Sequence, residues 1–189
     1  MGLHEELLSM IQSKALVRGE GIQLASGKKS DFYIDSKRLS LHAEGLKKIS
    51  QAFYQRLLNL PKRPNLIAGV SIGGDPLVAG VLMEASGDWK NLQGLLVRKE
   101  KKSHGLTAGR AVEGPLAFEG NCVWLLEDII STGGSSLTAA QFLKSEGYNL
   151  EGILCLVDRE MGGVEKLTKE LSIPVTPLYK VSEVLALRS

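Results

Sequence analysis

The stretch that decides the fold covers residues 123 to 135 and reads Val123-Trp124-Leu125-Leu126-Glu127-Asp128-Ile129-Ile130-Ser131-Thr132-Gly133-Gly134-Ser135. Its first four residues are apolar and predict a buried strand, whereas the residues from Leu137 onward have the pattern of an amphipathic helix. Two acids and a turn rich in hydroxyl groups and glycine lie between these elements. The stretch therefore predicts a strand, a loop and a helix N-terminus in that order.

The turn has the composition of an anion-binding loop. Gly133 and Gly134 carry no Cβ, so the backbone can curl tightly and the amides of residues 131–135 can converge beside the positive end of the helix dipole. Three side chains add hydroxyl donors: Ser131, Thr132 and Ser135. A phosphate monoester fits such a loop.

The two acids before the turn indicate that the phosphate belongs to a sugar. Glu127 and Asp128 would repel a phosphate but suit the vicinal hydroxyl groups of a ribose. The chain has no Gly-x-x-x-x-Gly-Lys-Ser/Thr motif, and no Gly-x-Gly-x-x-Gly between a strand and a helix. We therefore predict a ribose 5-phosphate site. The alternative is an ordinary strand, turn and helix in which the acids and glycines occur by chance.

Composition narrows the class of protein. The 189 residues suit one α/β domain with a small appendage, and the net charge of +2 gives no reason to expect nucleic-acid binding. No apolar run approaches the length of a membrane span, and residues 1–18 lack the pattern of a secretory signal, so we expect a cytoplasmic protein without membrane contact. Cys122 and Cys155 lie in apolar strand candidates and are expected to be reduced and buried.

The remaining apolar segments predict a mainly parallel sheet. Short apolar runs at residues 66–70, 92–97 and 150–157 read as buried strands, and helical patterns alternate with them along the chain. A last strand at residues 175–179 contains Pro177, which would confine it to a sheet edge. In such a sheet, ligands bind at the C-terminal ends of the strands, where every loop of interest lies.

The N-terminal third predicts two helices and a hairpin. The first helix ends near Gly19, and a hairpin follows with strands at residues 21–25 and 31–35 and a turn at 26–30 that holds two lysines. A solvated hairpin without a binding role is the alternative for that turn. The second helix covers residues 41–60, and its core face is formed by Leu41, Leu46, Ile49, Phe53, Leu57 and Leu60.

A basic segment interrupts the pattern after residue 97. Residues 98–105 read Arg-Lys-Glu-Lys-Lys-Ser-His-Gly, and little periodicity is present up to residue 119. Loops of this length in a compact domain are often lids, and a mobile cationic loop could clamp diphosphate and then release it. The alternative is a solvated charged loop.

Taken together, these motifs resemble a known family. The central stretch is similar to the signature of the type I phosphoribosyltransferases: four apolar residues, two acids, two variable residues, then Ser/Thr, Thr and Gly. Nearly the whole chain resembles the orotate phosphoribosyltransferases, through Ser-Gly-Lys-x-Ser-x-x-Tyr-x-Asp, Arg-Lys-x-x-Lys-x-His-Gly, the central motif and Val-Asp-Arg-x-x-Gly-Gly. The resemblance implies one domain over residues 1–189 with a Rossmann-like, mainly parallel sheet flanked by helices. It also implies a hood from residues 1–40 and the C-terminal segment, and a flexible lid loop at about 98–114.

The resemblance also implies the site residues. Catalysis would use Lys102, His104, Glu127 and Asp128, and the pyrimidine would be bound by Ser131 and Arg159. The phosphoribosyl diphosphate would be bound by Arg98, Lys99, Lys102, His104, Glu127, Asp128, Ile129, Ile130, Ser131, Thr132, Gly133, Gly134 and Ser135. The family forms homodimers with a shared loop, so Lys99, Lys102 and His104 would serve the neighbouring chain and Arg98 its own.

The implied reaction is transfer of the phosphoribosyl group from phosphoribosyl diphosphate to orotate, giving orotidine 5′-phosphate and diphosphate in pyrimidine synthesis. Mg²⁺ is the implied cofactor, held largely by substrate and water because no protein metal ligands are evident. The alternatives are a regulator that senses phosphoribosyl diphosphate without turnover, and a purine phosphoribosyltransferase. Regulators of this kind usually carry a separate DNA-binding domain, for which 189 residues leave no room. The Val-Asp-Arg-x-x-Gly-Gly motif argues against transfer to a purine.

The chain departs from the family at two lysine positions. Many members carry lysine where this chain has Ala25 and Gly73. We expect one or more nearby cations to compensate, with four candidates left open: Lys28, Lys29, Lys37 and Arg38.

Overall fold

The computed structural model describes residues 2–23, 29–100 and 109–186. At its N-terminal end, α1 (Leu3–Met10) runs into a π-helical segment (Ile11–Ala15), and β1 (Leu16–Gln23) pairs antiparallel with β2 (Lys29–Ile34). The prediction that the first helix ends near Gly19 was wrong. The chain leaves the helix at Leu16, because residues from there onward pair with β2 instead of forming further helical hydrogen bonds.

Within the described residues, the centre of the fold is a six-stranded sheet. Its strands are β3 (Leu66–Val70), β4 (Gln93–Val97), β5 (Val112–Glu113), β6 (Val123–Ile130), β7 (Leu150–Asp158) and β8 (Val175–Lys180). Their order is β5-β4-β3-β6-β7-β8, and all neighbours are parallel except β4 and β5. The predicted mainly parallel sheet is confirmed, and β8, which contains Pro177, lies at its edge as expected.

Helices cover both faces of this sheet. They are α2 (Lys37–Ser40), α3 (Ala43–Leu58), α4 (Asp75–Ala85), α5 (Gly134–Ser145), α6 (Gly163–Leu171) and α7 (Val181–Leu185). Alternate strand residues face two separate cores: Phe53 of α3 and Val81 of α4 belong to one, and Leu143 of α5 and Leu167 of α6 to the other. The sheet is thus buried on both sides, which explains why its strands are continuously apolar.

Two details of the helix prediction were wrong. Leu41 was expected in the core but is 72% exposed, because α2 ends at Ser40 and α3 begins only at Ala43. The short helix α7 after β8 was not predicted at all. Five residues are too few to give a periodic signal.

The predicted aperiodic segment contains the short strand β5. Val112 and Glu113 pair with Val97 and Leu96, and the amide of Arg98 donates to the carbonyl of Ala111 at 2.8 Å. The two ends of the basic loop are therefore joined as a hairpin. A strand of two residues depends on this pairing and leaves no pattern in the sequence.

The cysteines are buried and free, as predicted. Cys155 lies opposite Glu127 in the sheet, whereas Cys122 precedes the first residue of β6, so the two thiols lie at different levels of the sheet. Burial raises the pKa of the Cys155 thiol well above its usual value.

None of the described helices combines the length and the apolar character that crossing a membrane requires.

Candidate active site

The loop after β6 leads directly into α5. Gly133 is the N-cap of α5 and has a φ of +75°, and a Cβ at this position would lie 2.9 Å from Cγ of Leu167. Both the backbone conformation and the packing therefore require glycine here. The helix begins at Gly134, earlier than the predicted start near Leu137. Its first amides lack intrahelical carbonyl partners, which is what the predicted anion-binding end requires.

A cavity of about 440 Å³ lies between the β1–β2 hairpin and the C-terminal ends of β6 and β7. Its lining residues are Tyr33, Ile34, Ser36, Lys37, Asp128, Ile129, Ser131, Thr132, Arg159 and Met161. A volume of this order is typical of small-molecule sites. The cavity brings together Asp128 of the central motif with Ser131 and Arg159, the residues expected to bind the pyrimidine.

Asp128 is held firmly at the wall of this cavity. Its Oδ2 accepts a hydrogen bond of 2.5 Å from the hydroxyl of Ser36, and its Oδ1 accepts one of 2.8 Å from the amide of Ile129. Ser36 is 4% exposed and did not figure among the predicted site residues. Its position directly after the Tyr-x-Asp part of the first family motif is the only sequence signal that pointed to it.

Glu127 lies on the opposite face of β6 from Asp128, since neighbouring strand residues point to opposite faces. It is 4% exposed, and one carboxyl oxygen accepts a hydrogen bond of 2.5 Å from the hydroxyl of Ser136 in the first turn of α5. Burial raises the pKa of Glu127 to about 8. The two acids therefore do not present both carboxylates to the cavity, contrary to what their adjacency suggests.

Arg159 follows β7 and projects into the cavity. Its amide donates to the carbonyl of Ile130 at 2.8 Å, and its guanidinium carbon lies 5.4 Å from the centre of the Phe32 ring. Its Nε is buried and has no hydrogen-bond partner among the described residues. A buried donor without a partner is costly, so this guanidinium is available to an anion that enters the cavity.

The acids beside Arg159 are engaged elsewhere. Asp158 is 3% exposed and accepts a hydrogen bond from the amide of Glu160, whose own carboxylate accepts one from the amide of Ser182. A surface ion pair with either acid would leave Arg159 without a binding role. The observed hydrogen bonds direct both carboxylates to backbone amides instead.

Lys37 is the candidate compensating cation that lines the cavity. Its ammonium lies 2.9 Å from Oδ1 of Asp35, and this contact, with a smaller contribution from Asp128, raises the pKa of Lys37. Arg38 lies 3.7 Å from the same carboxylate of Asp35. Lys28 lies outside the described residues, and Lys29 is an exposed residue of β2.

A second, smaller cavity of about 190 Å³ adjoins the start of α5. It is lined by Val70, Arg98, Lys99, Gly134, Ser135, Thr138 and Ala139. Two cations thus stand beside the positive end of a helix, which is a favourable place for an anion. Lys99 lies beside Ser135 of its own chain here, and Lys102 and His104 lie outside the described residues.

The C-terminal end of the basic loop is anchored to the far end of α5. The carboxylate of Glu146 accepts hydrogen bonds from Nε of Arg110 at 2.8 Å and from the amides of Ala111 and Val112 at 2.7 and 3.2 Å. Arg110 also donates to the hydroxyl of Tyr148 at 2.9 Å. The same helix therefore has the predicted anion-binding amides at one end and the anchor of the basic loop at the other.

In the part of the chain that the structure describes, no group of three or more His, Cys, Asp or Glu side chains is placed to bind a metal ion. Asp128 is the one acid among the described residues that line the larger cavity.

A mainly parallel sheet, two acids in the last half of a central strand, a glycine turn that leads into a helix and a small hairpin over the site define a type I phosphoribosyltransferase fold. Solved structures are similar over nearly the whole chain. An orotate phosphoribosyltransferase from Mycobacterium tuberculosis has a TM-score of 0.81 at 25% identity, over 98% of this chain and 100% of that one. The corresponding protein from Aeropyrum pernix has a TM-score of 0.74 at 26% identity, over 97% and 96%.

Curated relatives give the narrower assignment. The orotate phosphoribosyltransferase of Rhodopirellula baltica is 38% identical over 168 residues, which cover 87% of this chain and 85% of the relative. That of Thermosynechococcus vestitus is 35% identical over 184 residues, covering 97% and 94%. The chain therefore belongs to the orotate phosphoribosyltransferase family. No family model matches the chain.

Proposed function

We propose that this chain transfers the phosphoribosyl group of 5-phosphoribosyl 1-diphosphate to N1 of orotate, which yields orotidine 5′-phosphate and diphosphate for pyrimidine synthesis. The observation that carries this proposal is the buried Nε of Arg159, which has no hydrogen-bond partner among the described residues and lies in one cavity with Asp128 and Ser131. An arginine fork matches the planar carboxylate that distinguishes orotate from uracil. Hydroxyl-binding and carboxylate-binding groups in one cavity suit a sugar and an acidic base together.

The reaction exchanges one bond at C1 of the ribose. The bond from C1 to the diphosphate oxygen breaks, the diphosphate leaves with the electron pair, and a bond from N1 to C1 forms. The N1 proton passes to the departing diphosphate. Because the departing diphosphate accepts this proton, no strong protein base is required. The site must therefore stabilise a positively charged ribose ring and a departing polyanion at the same time.

Asp128 serves the ribose in this proposal. Its carboxylate is fixed by Ser36 and the amide of Ile129, so its remaining lone pairs can accept from the ribose hydroxyls and offset the charge that develops on the ring. Glu127 lies on the opposite face of β6, where its hydrogen bond with Ser136 holds the strand against the first turn of α5. The first amides of α5, with Thr132 and Ser135, hold the 5-phosphate.

Cations serve the two other anionic groups. Arg159 and Ser131 hold the orotate carboxylate, with Lys37 as a second cation on the same cavity. Arg98 and Lys99, beside the start of α5, hold the diphosphate. Lys102 and His104 of the basic loop join them in the family pattern.

The site residues also suit Mg²⁺. Because Asp128 is the only acid among the described cavity residues, a bound Mg²⁺ would be held largely by substrate oxygens and water, where it would offset the charge of the diphosphate. We further propose a cytoplasmic homodimer in which the basic loop reaches the neighbouring site.

Substrate turnover tests the proposal. Purified protein is supplied with phosphoribosyl diphosphate, Mg²⁺ and one of four bases, orotate, uracil, hypoxanthine or adenine, and nucleotide formation is followed by chromatography. We expect turnover with orotate, and a fall of roughly two orders of magnitude in Asp128→Asn, which removes one preorganised charge. Turnover with a purine alone would assign the chain to purine transfer. Binding of phosphoribosyl diphosphate without turnover of any base would indicate a regulator.

A further inference from the structure

The carboxylate of Asp128 is fixed on two sides before any substrate is bound. Ser36 donates to Oδ2 at 2.5 Å and the amide of Ile129 donates to Oδ1 at 2.8 Å. Ser36 is 4% exposed, so water does not compete freely for this contact. Hydrogen bonds to a charged group are shorter and stronger than neutral ones, and this pair holds the plane of the carboxylate.

The backbone of Gly73 packs against the same carboxylate on a third side. A Cβ at residue 73 would lie 2.6 Å from Oδ2 and 2.8 Å from Cγ of Asp128, well inside van der Waals contact. The backbone of Gly73 has no left-handed φ that would by itself require glycine. Its missing side chain therefore matters because of the space that Asp128 occupies. In this chain, a Cβ at residue 73 would require the Asp128 carboxylate to shift, and a shift away from residue 73 disturbs its contact with the Ser36 hydroxyl.

Lys37 is an alternative partner for the Asp128 carboxylate. Lys37 follows Ser36, lines the same cavity, and is close enough for Asp128 to contribute to its raised pKa. A carboxylate released from Ser36 could turn towards this ammonium. An ion pair of that kind would take the carboxylate away from the ribose.

We propose that Ser36 is a positioning residue for Asp128, and that Gly73 keeps the space that their contact requires. The inference rests on the proposed phosphoribosyl transfer, in which Asp128 acts on the ribose. Ser36 itself acts through Asp128 and touches no reacting atom. A preorganised carboxylate costs no reorientation when charge develops on the ring, so the loss should fall on kcat.

The first experiment compares three serine variants. Ser36→Ala should lower kcat about tenfold or more, as loss of a supporting hydrogen bond commonly does, with KM for phosphoribosyl diphosphate changed less. Ser36→Thr keeps a hydroxyl and should retain most of the activity. The matched control is Ser40→Ala, in the same helix α2. Ser40 is 2% exposed, and its hydroxyl has no hydrogen-bond partner among the described residues, so this variant should turn over like the wild type.

The second experiment separates positioning from a general structural role. In the Asp128→Asn background, Ser36→Ala should add little, because the group it positions has lost its charge. Gly73→Ala should lower kcat by the same route as Ser36→Ala. Melting temperatures are measured for all variants. If Ser36→Ala does not fold, the kcat values of Gly73→Ala and Ser36→Thr test the positioning role instead.

Several results would overturn the inference. These are a kcat within twofold of the wild type in Ser36→Ala, full additivity with Asp128→Asn, or wild-type kcat in Gly73→Ala. Each of these presupposes a wild-type protein that turns over orotate. A wild type without turnover refutes the proposed function instead, so the two failures are distinguishable.

Discussion

Glu127 and Ser136 are joined by a hydrogen bond of 2.5 Å on the face of β6 that turns away from the cavity. The bond ties the central strand to the first turn of α5, whose amides we propose to bind the 5-phosphate. Because burial raises the pKa of Glu127 to about 8, this carboxyl group is largely protonated at neutral pH in the free protein. Glu127 therefore contributes a packed, neutral contact beneath the site.

The pKa of Glu127 makes stability depend on pH. The folded-state pKa lies above the unfolded value of about 4.5, so the folded protein binds more protons between these values. The stability that comes from the neutral carboxyl is complete below about pH 4.5 and is lost as the pH rises through about 8. We expect the melting temperature of the wild type to fall from pH 6 to pH 9, and that of Glu127→Gln to fall less.

Glu170→Gln serves as the control, because it removes one carboxylate from an exposed position of α6. Its melting curve should follow the wild type across the pH range. Parallel curves for Glu127→Gln and the wild type would contradict a raised pKa at Glu127.

Arg159→Ala should affect the two substrates unequally. We expect KM for orotate to rise about ten- to hundredfold, from loss of a charge-assisted hydrogen bond of about 1.5 to 3 kcal/mol, with a smaller change for phosphoribosyl diphosphate. Arg159→Lys should recover only part of the loss, since lysine cannot form the planar fork. Steady-state kinetics with each substrate varied in turn measures both constants.

A matched control for Arg159 is Arg63→Ala. The guanidinium carbon of Arg63 lies 5.6 Å from the centre of the Trp89 ring, a contact like that of Arg159 with Phe32 but away from the cavity. Arg63→Ala should leave both constants unchanged. Equal increases of both constants in Arg159→Ala would show that Arg159 does not contact the pyrimidine.

Glu146→Ala should loosen the C-terminal end of the basic loop. The change leaves the amides of Ala111 and Val112 and the guanidinium of Arg110 without their shared acceptor. We expect a loss of about 1 to 3 kcal/mol in unfolding free energy and faster tryptic cleavage after Arg110. Glu146→Gln keeps an acceptor for the amides and should lie between this variant and the wild type.

The control for Glu146 is Glu151→Ala, which removes a surface carboxylate that lies 3.7 Å from Lys62. Exposed pairs of this kind contribute little, so its stability should stay near that of the wild type. Unchanged cleavage after Arg110 in Glu146→Ala would show that the anchor does not hold this end of the loop.

The proposed sharing of the basic loop between two chains predicts complementation between inactive variants. Lys102→Ala and Asp128→Asn should recover activity when mixed under conditions that exchange subunits, because a mixed dimer holds one site with both changes and one with neither. At equal amounts, about half of the dimers are mixed, so recovery should approach roughly a quarter of wild-type activity. Mass spectrometry of differently tagged chains verifies the exchange. Exchange without recovery would place Lys102 in the site of its own chain.

Local patterns were enough to predict the framework of this protein. The apolar run, acids and glycine turn at residues 123–135 are contiguous, and their order alone predicts the strand, turn and helix that are observed. The continuously apolar strands required cover on both faces, and Pro177, which lacks an amide donor, required an edge. Each of these follows from neighbours along the chain.

The C-terminal end of β6 was predicted wrongly from the local pattern of apolar residues. The apolar run ends at Leu126, so both acids were predicted to lie between the strand and the helix, but β6 continues to Ile130. Pairing with β7 extends the strand through the acids. Once they lie within a strand, alternation sends Glu127 to α5 and Asp128 to the cavity.

Only the tertiary structure decided which distant side chains meet. Ser36 lies 92 residues from Asp128, and Arg110 lies 36 residues from Glu146, yet each pair shares a hydrogen bond. The same holds for Gly73, whose missing side chain makes room for Asp128. The physical reason is that periodicity and spacing report on residues that share one helix or strand, whereas the orientation of a carboxylate depends on groups that the packing of separate elements brings beside it.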